Sequence, residues 1–190
     1  MVIKIKIEKE DEKILNFSLN GAYIGFANVL RRYILGQVPT FAIDSVTIYD
    51  NSTYMFDEFI AHRIGQIPLH TPKKYKGDEQ VIFTLDEKGP KLVKAEDLKT
   101  SDKTIKPSKP NILLFTLGEG QDLRLEGKAV IDKGKKHGKF QAGIAAYEED
   151  KEGNFNFMIE SFSQIPPKDM LLKTVELLRE DAKEFEKQLK

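Results

Sequence analysis

Histidine and carboxylate side chains often carry metal or acid–base chemistry, and one stretch of this sequence gathers them. Asp57 and Glu58 precede His62, as in a general acid–base cluster of the kind a small hydrolase uses. His70 follows eight residues later with Pro68 between, so the two histidines lack the i, i+4 spacing of a helical zinc pair. No serine or lysine nucleophile motif accompanies them. Solvated charges on a short helix are the better interpretation.

Other signatures of metal or phosphate chemistry are missing. The sequence contains no cysteine, which excludes disulfides, thiolate zinc sites, iron–sulfur clusters and cysteine nucleophiles. Gly118 and Gly120 bound a turn that lacks the Gly-Lys-Ser/Thr ending of a phosphate loop. The acidic run 148–150 lacks the spacing of a calcium loop. We therefore predict no catalytic residues, no metal site and no cofactor.

Arginine is rare in this chain, so its placement is informative. Only five of the 30 basic residues are arginines, and three of them, Arg31, Arg32 and Arg63, fall in two short segments. The planar guanidinium donates two parallel hydrogen bonds, and arginine is enriched at protein interfaces. This pattern favours a docking role for the three arginines. The alternative is that arginine is simply a good helix former.

An amphipathic helix must position the first two arginines. Over residues 22–35 the apolar side chains recur at helical spacing, with Asn20 as the predicted N-cap and Gly36 at the end. A second apolar stripe runs beside the first, so the helix needs two surfaces to pack on. These are its own sheet and a second protein, or else a larger single core. The second stripe consists of Phe26, Val29 and Tyr33.

A longer helix is predicted at the end of the sequence. Pro166-Pro167 opens it, where a missing amide does no harm. Its apolar residues repeat every 3.5 residues, as in a coiled coil, and need a partner in this chain or in another. They are Leu171, Val175, Leu178, Ala182, Phe185 and Leu189.

The remaining patterns predict strands and loops, which gives a mixed α+β chain. Strands are predicted at 2–8, 15–19, 46–48, 81–85, 112–117, 123–131 and 155–159, a short helix at 54–65, a long loop at 86–110, a basic loop at Lys133–Lys139 and an acidic turn at 147–153.

Composition limits the classes of function. The 190 residues include 30 basic and 30 acidic side chains, so the formal net charge is zero. Dedicated binders of nucleic acid or of anionic membranes carry a basic excess, so we expect neither function. No stretch approaches the roughly 20 apolar residues of a membrane span. The alternating residues 1–8 are unlike a signal peptide, and we expect a cytoplasmic protein.

Two segments resemble a known family. They are Phe26-Ala-Asn-Val-Leu-Arg-Arg-Tyr-Ile-Leu35 with Val38-Pro39, and Asp57-Glu-Phe-Ile-Ala-His-Arg-Ile-Gly-Gln-Ile-Pro-Leu69. Supporting matches follow in order at 83–86, 95–98, 123–129, 136–141 and 166–172. The chain resembles the D subunit of archaeal RNA polymerase, which is related to the third subunit of eukaryotic polymerase II and to the bacterial alpha-subunit amino-terminal domain.

The resemblance implies an architecture. Residues 1–48 and 155–190 correspond to a discontinuous α+β dimerisation domain of strands plus two helices, and residues 49–154 correspond to an inserted, mainly β domain. Many archaeal members carry a further ferredoxin-like domain whose four cysteines hold an iron–sulfur cluster. This chain has no cysteine and only residues 147–154 near that position, which implies a cluster-free form.

The resemblance also implies a function and partners. It implies a non-catalytic assembly subunit that pairs with the smaller subunit L, forming a platform for the large subunits and for the small subunits N and P. With a formal net charge of zero, we expect no direct sequence-specific contact with nucleic acid. We predict that Arg31, Arg32 and Arg63 bind the large subunits. We predict that the residues that supply apolar area to subunit L, with some of them lining the domain's own core instead, are Tyr23, Phe26, Val29, Leu30, Leu171, Val175, Leu178 and Phe185.

Two alternatives belong to other classes. A homodimeric nucleic-acid-binding regulator could use the basic loop Lys133–Lys139, with Phe140 as a platform for stacking bases. A small hydrolase could use Asp57 and His62.

Overall fold

The computed structural model describes residues 2–75 and 80–189, and the chain divides into two compact units. The first unit comprises Met1–Pro39 and Lys133–Lys190, and the second comprises Thr40–Asp132. This confirms the predicted α+β fold, in which a discontinuous part receives a mainly β insert. Met1, residues 76–79 and Lys190 fall within the predicted domain ranges but outside the described residues.

The elements follow one another in this chain order: β1 (Lys4–Glu10), β2 (Ile14–Asn20), α1 (Ile24–Gly36), β3 (Pro39–Asn51), α2 (Asp57–Gly65), β4 (Gln80–Lys88), β5 (Lys91–Lys94), β6 (Lys99–Thr100), β7 (Leu113–Leu117), β8 (Asp122–Lys133), β9 (Gly143–Glu149), β10 (Phe155–Ser161) and α3 (Pro167–Gln188).

The first unit is an antiparallel sheet with two helices packed on it. Its strand order is β1-β2-β10-β9, so strands from both ends of the chain pair at the centre. Alternate side chains of β2 and β10 point to one face, where the rings of Phe17 and Phe157 stack with centroids 5.0 Å apart. Helix α1 adds Leu30 and Ile34 to this core, and α3 adds Met170. The pairing of β2 with β10 brings distant segments into one hydrophobic core.

The second unit contains a four-stranded sheet, β3-β8-β4-β6, and a two-stranded sheet, β5-β7. Alternating residues of β4, among them Phe83 and Leu85, bury one face. Helix α2 contributes Ile60 and Ile64 to the same core. This unit positions Arg63 and the carboxylates that precede it.

Helix α1 begins later than the sequence predicts. Its N-cap is Tyr23, which makes no capping hydrogen bond through its side chain, and Asn20 is the last residue of β2. The predicted cap is therefore wrong, because pairing with β1 extends the strand through Asn20. Helix α2 likewise begins at Asp57, three residues after the predicted start.

The predicted long loop at 86–110 is also wrong. Residues 86–88 continue β4, and β5, a short 3-10 helix at Ala95–Asp97 and β6 follow. The Asp97 carboxylate organises this stretch, since it accepts a hydrogen bond from Nζ of Lys91 at 2.8 Å and one from the amide of Lys94 at 2.7 Å. Strands of two to four residues are too short to show an alternating pattern, which explains the error.

The compact units and the predicted domains have different bounds. The predicted domain boundaries fall after residues 48 and 154, whereas the boundaries between the compact units fall after Pro39 and Asp132. Strand β3 spans 13 residues and lies beside β8 in the sheet of the second unit. Strand β9 covers part of the predicted acidic turn and pairs with β10 in the first unit. Sheet partners therefore decide the bounds, and partner choice cannot be read from local periodicity.

Candidate subunit interface

Helix α1 has one face in the core of the first unit and another in solvent. Ala27, Leu30 and Ile34 are buried, whereas Phe26 and Val29 lie exposed beside them. Leu30 was predicted to face a partner, but only 2% of its surface is exposed and it lies within the core of its own unit. Leu30 is therefore one of the predicted residues that line the core of their own unit. Tyr23, at the N-cap, is exposed as well.

Helix α3 is covered by its own unit only at its beginning. Met170 and Thr174 are buried, and Leu171 and Leu178 are half-buried against the same core. Val175 is 49% exposed and Phe185 is 66% exposed. Every side chain from 179 to 189 is exposed, so the last three turns carry apolar residues that no described residue of the first unit covers.

Strand β1 adds an apolar strip that the sequence did not assign to any site. Ile5 lies opposite Leu19 and Ile7 lies opposite Phe17 in the antiparallel register, so these isoleucines point to the core face of the sheet. Their partners on β2 are buried, yet Ile5 is 53% exposed and Ile7 is 47% exposed. Ile3 continues the strip and is also exposed. The sheet therefore offers more apolar core face than α1 and α3 cover.

Two polar contacts hold α3 in place on this unit. The hydroxyl of Tyr33 on α1 donates to Oδ2 of Asp181 at 2.7 Å, and this hydrogen bond raises the pKa of Tyr33. Nζ of Lys168 lies 3.0 Å from Oε2 of Glu10 at the end of β1. Both contacts join α3 to other elements of the first unit.

The three predicted docking arginines lie in different units. Arg31 is half-buried and donates a hydrogen bond through Nη2 to Oδ1 of Asn28 at 2.9 Å. Arg32 is exposed and makes no hydrogen bond or ion pair to any residue of the described ranges. Arg63, in the second unit, donates through Nη2 to the carbonyl of Leu113 at 2.8 Å. Each guanidinium therefore keeps donors for a further partner.

A loop held by side-chain hydrogen bonds leads into the helix that carries Arg63. The side chain of Asn51 donates to the carbonyl of Met55 at 2.9 Å and to Oδ1 of Asp57 at 2.7 Å. Its Oδ1 also accepts from the amide of Thr53 at 3.0 Å. The loop nevertheless presents Tyr54 to solvent, 96% exposed. Exposed aromatic residues on a preorganised backbone are typical of interface anchors, so Tyr54 is a candidate contact that the sequence analysis did not identify.

The candidate acid–base residues are not assembled into a catalytic cluster. Asp57 accepts from Asn51, and no hydrogen bond joins it to His62 in the described part of the chain. Nδ1 of His70 lies 3.0 Å from the carbonyl oxygen of Thr104. Over residues 2–75 and 80–189, no group of three or more histidine and carboxylate side chains could hold a metal ion. The geometry gives the hydrolase alternative no support.

The proposed base-stacking platform of the basic loop is wrong. Phe140 is fully buried, and Nζ of Lys136 and Nζ of Lys139 lie 5.7 and 5.3 Å from the centroid of its ring. A buried ring covered by its own lysines offers no face to a nucleotide base.

No helix in the described ranges is both long enough and apolar enough to cross a membrane.

An α+β unit with an uncovered apolar face on two helices and an edge strand, interrupted by a β insert, is typical of a protein that pairs with another chain. The model of the RNA polymerase Rpb3/RpoA insert domain matches residues 46–146 of this chain. The chain belongs to this family of RNA polymerase subunits and, by the relatives described next, to its archaeal Rpo3 members.

Three archaeal relatives illustrate the match, and each is named DNA-directed RNA polymerase subunit Rpo3. The relative from Methanocaldococcus jannaschii is 38% identical over 173 residues, which cover 91% of this chain and 88% of the relative. The relative from Pyrococcus horikoshii is 42% identical over 154 residues, 77% of this chain and 60% of the relative. The relative from Natronomonas pharaonis is 40% identical over 135 residues, 71% of this chain and 55% of the relative. The chain thus spans about three fifths of the Pyrococcus relatives' length.

Proposed function

We propose that this chain is a non-catalytic assembly subunit of the archaeal DNA-directed RNA polymerase, equivalent to the D subunit of that enzyme. It forms a heterodimer with subunit L, and the heterodimer is the platform on which the large catalytic subunits dock. The observation that carries the proposal is the uncovered apolar surface of α1, α3 and β1 in a chain of the Rpo3 family. The first unit is then the dimerisation domain.

The pairing surface has the character of an obligate interface. Obligate interfaces resemble a hydrophobic core cut in half, and they typically bury more than about 2,000 Å². Val175 and Phe185 on α3, together with Phe26 and Val29 on α1, are exposed although they extend the pattern of the core. A surface that exposes several large apolar side chains together is unfavourable in water and is typical of a contact with another protein.

The same surface suggests a partner with the same fold. This chain has an apolar helix end that extends beyond its own core and an apolar strip on β1 that its own helices leave uncovered. In a pseudo-two-fold pair, the helix end of each chain covers the strip of the other, because two-fold contacts are reciprocal. Subunit L, which the family resemblance describes as sharing the dimerisation fold, meets this requirement.

The arginines are the proposed contacts to the large subunits. Arg32 is exposed and has no partner among the described residues, and Arg31 and Arg63 each use one donor within the chain. Arginine pairs with carboxylates through two parallel hydrogen bonds, which gives geometric specificity. Truncating one member of such a buried interface pair costs on the order of 2–5 kcal/mol.

We propose that the chemistry of nucleotidyl transfer belongs to the large subunits, which hold the metal ions that the reaction needs. We further propose that this chain is a cluster-free form of the subunit. In support, the turn at 150–154 joins β9 directly to β10, and Asp150 closes it by accepting from the amide and the side chain of Asn154 at 2.8 and 3.0 Å. A closed turn thus stands near the position of the ferredoxin-like domain of other members.

The remaining partners are the small subunits N and P, and the complex assembles in the cytoplasm. The chain makes no sequence-specific contact with nucleic acid. A formal net charge of zero supports this, because phosphate binding requires a basic surface.

The test is co-expression with an archaeal subunit L, followed by mass measurement of the purified species. We expect a one-to-one complex. The Phe185→Arg variant should form no such complex, because it places a charge in the apolar contact while arginine keeps the helix favourable. Glu180→Arg is the matched control, since Glu180 lies on α3 about 140° around the helix from Phe185.

Two results would contradict the proposal. The first is a wild-type chain that stays monomeric in the presence of subunit L. The second is a chain that pairs only with itself, which would instead support the homodimeric alternative. If Phe185→Arg and Glu180→Arg both formed the complex as the wild type does, α3 would not be part of the pairing surface.

A further inference from the structure

A group of lysines lies on the second unit, in two surface segments that are distant in the sequence. The segments are residues 70–75 and 102–109, and the sequence analysis assigned no function to either of them. We call this group the lysine patch, and all of its side chains are exposed. Its members are Lys73, Lys74, Lys103, Lys106 and Lys109.

Backbone contacts hold the two segments together. Leu69 and Pro107 form an antiparallel bridge, and the amide of His70 donates to the carbonyl of Lys106 at 2.8 Å. Leu69 and Ile105 are buried in the core of the second unit, so both segments are anchored. Each lysine of the patch is at most four residues from His70 or Lys106, which limits its backbone distance from this junction to about 14 Å. The fold therefore gathers these lysines on one surface.

The lysine patch concentrates positive charge in a protein whose formal net charge is zero. Asp102 is the only carboxylate in the described parts of the two segments, and it accepts from the amide and the hydroxyl of Thr104, each at 2.8 Å. Residues 76–79 lie outside the described ranges, and with them the segments contain six lysines and three carboxylates. Lys73 has a contact within the chain, whereas the other four ammonium groups make no hydrogen bond or ion pair to any described residue. This arrangement favours an anionic partner.

The composition of the patch favours phosphate over the acidic surface of another protein. No large apolar side chain in the described parts of the two segments is exposed, and the segments contain no arginine. Protein interfaces are enriched in aromatic residues, methionine and arginine, and lysine is depleted there. The paired donors of arginine match carboxylates, whereas lysine is a compact point charge that commonly binds phosphate.

We propose that the lysine patch binds the phosphate backbone of a double-stranded nucleic acid without reading its sequence. Contacts to phosphates position a protein on a duplex but carry no sequence information. Tyr75, the one tyrosine of the two segments, is half-buried and packs edge-on against Phe41 with ring centroids 5.9 Å apart. The patch therefore lacks a free ring on which an unpaired base stacks, which favours a duplex over a single strand. A net charge of zero is compatible with this contact, because the lysines are concentrated on one surface.

This inference goes beyond the proposed function, and its test uses the full chain without subunit L. Binding to a fluorescently labelled DNA duplex is measured at about 50 and about 200 mM salt, since the logarithm of the affinity falls by about 0.9 per neutralised phosphate for each tenfold rise in salt. Four free ammonium groups predict that the wild type binds about 150-fold more weakly at the higher salt. The double variant Lys103→Gln, Lys106→Gln should weaken only about tenfold, because two of the contacts are lost.

The double variant Lys4→Gln, Lys6→Gln is the matched control. It removes the same charge from two exposed lysines of β1, in the first unit, which point away from the core face of the sheet. It should show the salt dependence of the wild type. A wild-type chain that does not bind the duplex at the lower salt concentration, or equal salt dependence of the two double variants, would overturn the proposal.

Two further ligands identify the source of the anion. An RNA duplex of the same length is compared with the DNA duplex, and binding of either one with the expected salt dependence supports the proposal. Tighter binding of polyglutamate with the same number of charges would overturn it and assign the patch to an acidic protein segment. Pairing with subunit L is measured separately, so a chain that binds a duplex but not subunit L would contradict only the proposed function.

Discussion

The hydroxyl of Tyr33 donates a hydrogen bond to Oδ2 of Asp181 at 2.7 Å, although the two residues are 148 positions apart in the chain. The bond joins α1 to α3, which the insert separates in the sequence. It lies where α3 begins to extend beyond the core, so it helps to set the direction of the exposed helix end. The hydrogen bond to Asp181, with partial burial, raises the pKa of Tyr33 above its ordinary value of 10.0.

This contact predicts a pH-dependent contribution to stability. A raised pKa in the folded state means that the contribution is complete below about pH 10 and is lost as the pH rises through the raised pKa. Tyr33→Phe should lower the free energy of unfolding by about 0.5–1 kcal/mol at pH 8, discounted because the pair is partly exposed to solvent. The difference from the wild type should vanish in strongly alkaline solution. Urea unfolding at both pH values measures it, and Tyr23→Phe, at the N-cap of the same helix, is the control.

The carboxylate of Asp97, in the second unit, leads to a prediction with the opposite pH dependence. Burial opposes ionisation of this carboxylate, but the hydrogen bonds from Lys91 and from the amide of Lys94 outweigh burial and lower its pKa below 3.8. Its contribution is therefore present above about pH 4 and is lost as the pH falls through the lowered pKa. Asp97→Asn should cost about 1–2 kcal/mol of unfolding free energy at pH 7 and less near pH 3. A cost equal to that of Glu96→Gln, an exposed neighbouring carboxylate, would contradict this role.

The close passage of the basic loop over the end of α1 predicts a steric effect at Gly134. Gly134→Ala should destabilise the protein by about 1–3 kcal/mol, because the added methyl group would clash with the carbonyl of Leu35. Gly138→Ala, in the same loop, should have little effect, since no atom lies within 4 Å of its Cβ position. Thermal unfolding compares the two variants. Equal melting temperatures would show that the loop does not depend on this contact.

The isoleucine strip of β1 predicts a loss of pairing that leaves the fold intact. Ile5→Thr and Ile7→Thr keep a β-branched side chain in the strand but remove apolar area. Each should weaken binding to subunit L about tenfold if a partner covers the strip. Lys6→Thr, which points to the opposite face, should bind normally. Calorimetric titration with subunit L measures the three affinities, and equal values would exclude β1 from the interface.

Local periodicity in the sequence was enough for the helices and for most of the longer strands, but it identified only residues 46–48 of the 13-residue strand β3. The 3.6-residue pattern around Leu30 and the proline pair at the start of α3 both led to helices at nearly the observed bounds. Local periodicity failed for β5 and β6, which contain four and two residues and are recognised by their pairing with β7 and with β4. It failed for β9 because that strand is recognised by its pairing with β10 and not by its own pattern.

Local periodicity was also not enough to decide which of the predicted interface residues are exposed. Val29 and Leu30 are adjacent and both apolar, yet the structure exposes the first and buries the second, because the turn of the helix points only one of them at the sheet.

From the sequence alone, one could determine which residues are apolar, which helix faces they share and which family they resemble, since these depend on neighbours a few positions away. The tertiary structure decided which of those faces is already covered. It left Ile5 and Ile7 uncovered on a core-facing strand, and it brought Arg31 and Lys135 to the lining of one groove. Contacts between residues more than a hundred positions apart form only when the chain folds, so the pattern of neighbouring residues does not predict them.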